Sequence, residues 1–159
     1  MGDVVAECKN PRRFNFSARE WLDFIWCFRH ILEMSGATVK PVSWVGSSYK
    51  DFREFPDPVQ DSMGYALHQA QIGLKHGSAK PLKGFGGAGV IEIVADHVGD
   101  TFRAVYTVKF ATAVYVLHAF QKKSKSGIKT PTEDMELIQR RLKAAEADYK
   151  AQLEKGNAS

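Results

Sequence analysis

With 159 residues, 44% of them hydrophobic and 11% aromatic, the chain can bury the core of one domain, which excludes a wholly disordered segment. Its 22 Lys and Arg against 18 Asp and Glu leave a formal charge of +4, a mild excess that favours nucleic acid or an acidic partner only where the cations gather. The two cysteines, Cys8 and Cys27, lack the spacing of a zinc site or disulfide framework, so neither metal nor other cofactor is expected and a reducing, cytoplasmic setting fits best. MGDVVAEC lacks the basic flank and apolar run of a secretory signal, and no apolar stretch reaches the roughly 20 residues that span a bilayer.

Residues 1–39 read as an N-terminal extension. A capping box from Ser17 to Glu20 starts a helix, and Trp21, Phe24, Ile25, Phe28, Ile31 and Leu32 recur along one face of it. Met34, followed by Ser35 and Gly36, offers an alternative start for the domain behind it.

The pattern becomes regular over residues 40–153. Val42, Trp44 and Val45 suggest a strand ended by Gly46, Ser47 and Ser48, and a short helix follows from Tyr49 to Phe55. Asp57 is set to cap the next helix, with Pro58 at its first position and Gln60 at its third. Val59, Met63, Leu67, Ala70 and Leu74 would form its buried face. Gly73, Gly77 and Pro81 break helicity, and Gly84 to Gly89 predict a mobile connection.

Strands are then expected over Val90 to Ala95, Phe102 to Phe110 and Ala113 to Phe120, in an antiparallel meander whose last two strands are covered on both faces. Thr130, Pro131 and Glu133 mark the start of a final helix with Met135, Ile138, Leu142, Ala145 and Tyr149 as its buried stripe. A frayed tail is expected over 154–159. The fold class is α+β: a helical hairpin packed on a small, mainly antiparallel sheet, with a C-terminal helix.

The chemistry concentrates in YVLHAFQKKSKSGIKTP. A strong strand empties into Lys122, Lys123, Lys125 and Lys129 with no acid between them, an arrangement that suits a phosphate backbone but also describes a solvated loop. Lys80 and Lys83, beside the glycine-rich run, add cations that could touch nucleic acid. GFGGAG itself is no phosphate loop, since it lacks a following Lys-Ser/Thr and precedes a strand. Arg103 stands in an otherwise apolar strand and needs a carboxylate such as Glu92 or a functional anion, and the sequence leaves both open. His118 is either a general acid or base near neutral pH or a packed core histidine.

VGSSYKDFREFP, the KPLKG turn, FRAVYTVKF and YVLHAFQKKSKSGIKTP together resemble the phage-derived, HigB-like branch of the RelE/ParE toxin superfamily, from about Lys40 to Tyr149. The resemblance implies a RelE/ParE-like fold and a type II toxin. It further implies neutralisation by a helix-turn-helix antitoxin encoded nearby, and cleavage of messenger RNA in the ribosome by attack of a 2′-hydroxyl on the adjacent phosphate. By position, Arg103 matches the family arginine of the middle strand, while Lys122 and Lys123 match basic residues after the last strand. RelE-type enzymes carry lysines on the preceding strand, where this chain has Glu92 and Val94, which leaves proton transfer to His118 or to a ribosomal group. The competing readings are a ParE-like inhibitor of DNA gyrase that cuts nothing, and a phage-derived binding module without activity.

Overall fold

The computed structural model describes residues 39–87, 89–122 and 132–157, and one compact unit, Lys40–Ser159, holds all of these but Val39. The expectations for the N-terminal extension, for Lys123, Lys125 and Lys129, and for a cap at Thr130 fall outside that range. The elements are β1 (Val42–Trp44), α1 (Ser48–Arg53), α2 (Asp57–Gln71), β2 (Ala79–Pro81), β3 (Val90–His97), β4 (Asp100–Thr107), β5 (Val114–Lys122) and α3 (Thr132–Asn157). The fold is α+β, with a mixed five-stranded sheet in the order β1-β5-β4-β3-β2. Its β2·β3, β3·β4 and β4·β5 pairings are antiparallel and β1·β5 is parallel. Among the described residues, no helix is long and apolar enough to cross a membrane.

The sheet is packed on both faces. On one, Phe52, Phe55, Val59, Met63, Leu67 and Ala70 of the α1–α2 hairpin meet Ile93, Phe102, Ala104, Tyr106, Val114 and Val116. On the other, Ile138, Leu142 and Ala145 of α3 meet Leu82, Val90, Val105, Tyr115 and Leu117. Burial on both faces is why TFRAVYT and VYVLHA read as continuous apolar runs without alternation. The stripe expected on α3 is the one it uses.

The structure corrects several boundaries. α1 begins one residue earlier and ends at Arg53, because Ser48 is fully buried and its hydroxyl donates to the Val116 carbonyl at 3.0 Å. Asp57 is the first helical residue of α2 and not its cap; Pro56 takes the cap position with ψ 144°, and no side chain caps the helix. Gln60 instead donates to the carbonyls of Phe55 at 2.7 Å and Arg53 at 3.2 Å, tying the two helices together. Leu74 is 59% exposed, since α2 ends at Gln71 and Gly73, at φ 79°, turns the chain away. β2 falls in a segment expected to be a turn; Pro81 is tolerated there because the strand is at the sheet edge. β4 stops at Thr107, short of Phe110, while α3 continues past Leu153 to Asn157, where a frayed tail was expected.

One irregularity places the face of the candidate site. Val105 pairs with His118 but Tyr106 pairs with Val116, so Leu117 is an extra residue in β5. Before this bulge Tyr115 and Leu117 point to the α3 face; after it His118, Phe120 and Lys122 do so as well. In an unbulged strand those last three side chains would lie on the α2 face.

Candidate functional site

Four strands carry the site on the α3 face. In the register, Lys80 lies opposite Glu92, Glu92 opposite Val105, Arg103 opposite Phe120 and Thr101 opposite Lys122. Directly opposed residues share a face, and diagonal neighbours on it lie about 7–8 Å apart. Lys80, Glu92, Arg103, Phe120 and Lys122 therefore form one continuous patch.

Arg103 is 6% exposed, and its Nη1 donates to Glu92 Oε2 at 2.7 Å. The carboxylate that the sequence offered as partner is the one it uses. The Glu92 side chain is 17% exposed against 7% for Arg103, so the pair opens toward solvent on the Glu92 side. Lys80 and Lys83 are exposed, and Lys122 is half-buried at the end of β5. A cation that needs a counter-charge, held beside a carboxylate and flanked by two lysines, can take up a phosphate oxygen when the carboxylate turns to another proton or donor.

His118 belongs to a second network next to this patch. Its Nε2 lies 3.0 Å from Asp134 Oδ1, in the first turn of α3, and its Nδ1 lies 3.3 Å from Arg141 Nη1. Arginine only donates, so Nδ1 accepts, and the ring proton sits on Nε2 facing the carboxylate. Both nitrogens are thus engaged in a side chain that is 9% exposed. The ring stacks on Phe120, centroids 4.8 Å apart at 23°, and Phe120 stands across the strand from Arg103.

Arg141 reaches further. Nη1 donates to the Leu117 carbonyl at 2.9 Å and Nη2 to Ser47 Oγ at 2.7 Å, while Ser47 donates to Asp51 at 2.8 Å. Burial pulls the guanidinium's pKa down, opposed by Asp51 and aided by Arg140. Gly46 has φ 62°, and a Cβ there would lie 3.1 Å from Arg141 Nε. The GSS turn is thus shaped around the guanidinium.

The structure brings Arg103, Lys122 and Lys80 onto one face and places His118 in a bracing network beside them. Sequence reading did not single out Asp134, Arg141 or Phe120. A signal for the first two was present: Asp134, Ile138 and Arg141 fall at helical spacing on one face, so two charged residues lie along the buried stripe. Among the described residues, no group of three or more His, Cys, Asp or Glu is placed to hold a metal ion.

The family model for phage-derived Gp49-like proteins (DUF891) matches residues 50–143, more than half of the chain and all the site residues from Lys80 to Arg141. The chain belongs to this family, which is associated with RelE/HigB-like toxins. No curated protein and no solved structure matches the chain.

Proposed function

We propose that this Gp49-like chain is the toxin of a type II toxin–antitoxin pair, a HigB-like endonuclease that cuts messenger RNA in the ribosome. The observation that carries the reading is the buried Arg103 bonded to Glu92 at 2.7 Å on a face flanked by Lys80 and Lys122. Glu92 accepts the proton of a 2′-hydroxyl, whose oxygen then bonds to the adjacent phosphorus as the bond to the 5′-oxygen breaks. Arg103, released from the carboxylate, stabilises the charge that builds on the phosphate. Lys122, on the same face, donates the proton that the leaving oxygen takes up. Glu92 replaces His118 as proton acceptor in this reading because both nitrogens of His118 are engaged.

Lys83, Lys123, Lys125 and Lys129 extend the phosphate contacts, and the ribosome holds the message in the reactive conformation. The partners of this reading are the ribosome with its message and a helix-turn-helix antitoxin. Primer extension on messages from cells expressing the chain should show discrete new 5′ ends. Arg103→Gln or Glu92→Gln should abolish them, with circular dichroism confirming a folded protein. Intact messages with broken DNA would overturn the reading in favour of a gyrase inhibitor; harmless expression without any antitoxin would favour a binding module.

A further inference from the structure

Arg141 hydrogen-bonds to the β5 bulge and to Ser47, and so is fastened to the feature that places Lys122 beside the Glu92–Arg103 pair. The β5 bulge at Leu117 moves His118, Phe120 and Lys122 onto the face of Arg103. That bulge is held from two sides. From the β1–α1 side, Val45 N and Ser48 Oγ both donate to the Val116 carbonyl, each at 3.0 Å. From the α3 side, one arginine nitrogen serves the two residues of the bulge, donating to Leu117 O at 2.9 Å and meeting His118 Nδ1 at 3.3 Å. The same guanidinium then grips Ser47 at 2.7 Å, and Gly46 leaves room for its approach.

An extra residue in a strand survives only where its backbone groups find partners outside the ladder. Arg141 supplies one such partner, to the carbonyl of the inserted residue itself. Without it, β5 can slip by one residue, and a slip of one turns every following side chain to the opposite face. Phe120 and Lys122 would leave the site while the apolar run, which lacks alternation, would still fit both cores.

We propose that Arg141 is a positioning residue: by clamping the Leu117–His118 bulge it fixes the register that sets Lys122 and Phe120 next to Arg103. For activity this rests on the RNA-cleaving reading; the register effect stands apart from it. A surface role for Arg141, such as direct phosphate contact, predicts a loss that adds to the loss of Lys122. A positioning role predicts that the two losses coincide.

The test uses the full chain, Arg141→Met, Lys122→Met and the double variant, with a short 2′-O-methylated RNA oligonucleotide as probe. NMR contacts between the backbones of Thr101 and Lys122, and of Arg103 and Phe120, report the register. Arg141→Met should lose both contacts, and the salt dependence of its RNA binding should drop by about one unit in log K against log salt, the loss of one phosphate contact. Lys122→Met should show the same drop with its contacts intact, and the double variant no further drop. Retained contacts in Arg141→Met, or a drop that adds to that of Lys122→Met, overturns the proposal. If the wild-type chain binds no free RNA while Arg141→Met still loses the contacts, phosphate recognition outside the ribosome fails and the register role stands. Should Arg141→Met not fold, Arg141→Lys keeps the charge but cannot bridge Leu117, His118 and Ser47 together, and the same loss of contacts is expected; retained contacts there overturn the proposal equally.

Discussion

Glu92 holds the Arg103 guanidinium where an unmatched cation would be costly, in side chains only 17% and 7% exposed. Removing one member of a buried pair typically costs about 3–5 kcal/mol, whereas removing both is close to neutral. Glu92→Ala should therefore lower the stability measured by urea unfolding by about that amount, and Glu92→Leu with Arg103→Met should recover most of it. A loss under about 1 kcal/mol in Glu92→Ala would show the pair to be surface-like. This much was legible in the sequence, because an arginine among apolar strand residues demands an anion and Glu92 was within reach. Arg141 was not legible, since a helix read by its apolar stripe hides the cation that shares it. A pH effect sits elsewhere, at His68 on α2, whose pKa burial pulls below 6.5 against a smaller opposing bond from Gln71. The folded state resists protonation that the unfolded chain accepts, so stability is full above about pH 6.5 and falls as pH drops below it. His68→Gln should flatten urea midpoints between pH 7.5 and pH 5; an unchanged slope would assign the acid loss to other groups.

The same contrast appears among the elements. β3, β4 and β5 announce themselves by β-branched and aromatic density, and α2 and α3 by helical spacing, so the meander and its covering helices follow from the sequence. The bulge does not, because VYVLHAF is apolar at every register and an inserted residue disturbs no alternation. β2 was missed for the opposite reason: a lysine and a proline in three residues read as a turn, and only pairing with β3 makes them a strand. The β3–β4 hairpin carries a local conflict. Val98 sits at φ 49° and is 88% exposed, followed by Gly99 at φ 84°, in a two-residue turn that favours Asn-Gly. A left-handed conformation costs an ordinary side chain about 1–2 kcal/mol, more awkwardly for a β-branched one. Val98→Asn should thus stabilise the chain by about 1 kcal/mol and raise Tm by about 2–8 °C. An unchanged or lowered Tm would mean that the turn relaxes around valine at no cost.

At the scale of the whole molecule, the sheet divides two cores, and the face of the candidate site depends on one more than on the other. α3 is pinned to β5 by Ile138, fully buried, and by Tyr115, whose hydroxyl donates to Asp148 at 2.8 Å. Burial, and then Asp148, push the Tyr115 phenol up to about 12, so its hydrogen bond persists at any pH the cell meets. The same helix presents Asp134 and Arg141 to His118, one on either side of Ile138. Met63, on α2, is as fully buried but serves the opposite core. Ile138→Ala and Met63→Ala should each cost about 2–5 kcal/mol in urea unfolding, through lost burial and an unfilled cavity. Their effects on the site should differ. With α3 loosened, Arg141 and Asp134 lose their hold on the ring, and the nitrogen NMR shifts of His118 should move toward a mixture of tautomers. In Met63→Ala, with α3 seated, the shifts should keep the pattern of a proton on Nε2. Equal disturbance of His118 in both variants would show that the two cores act as one, and that α3 holds the site no more firmly than the hairpin behind it.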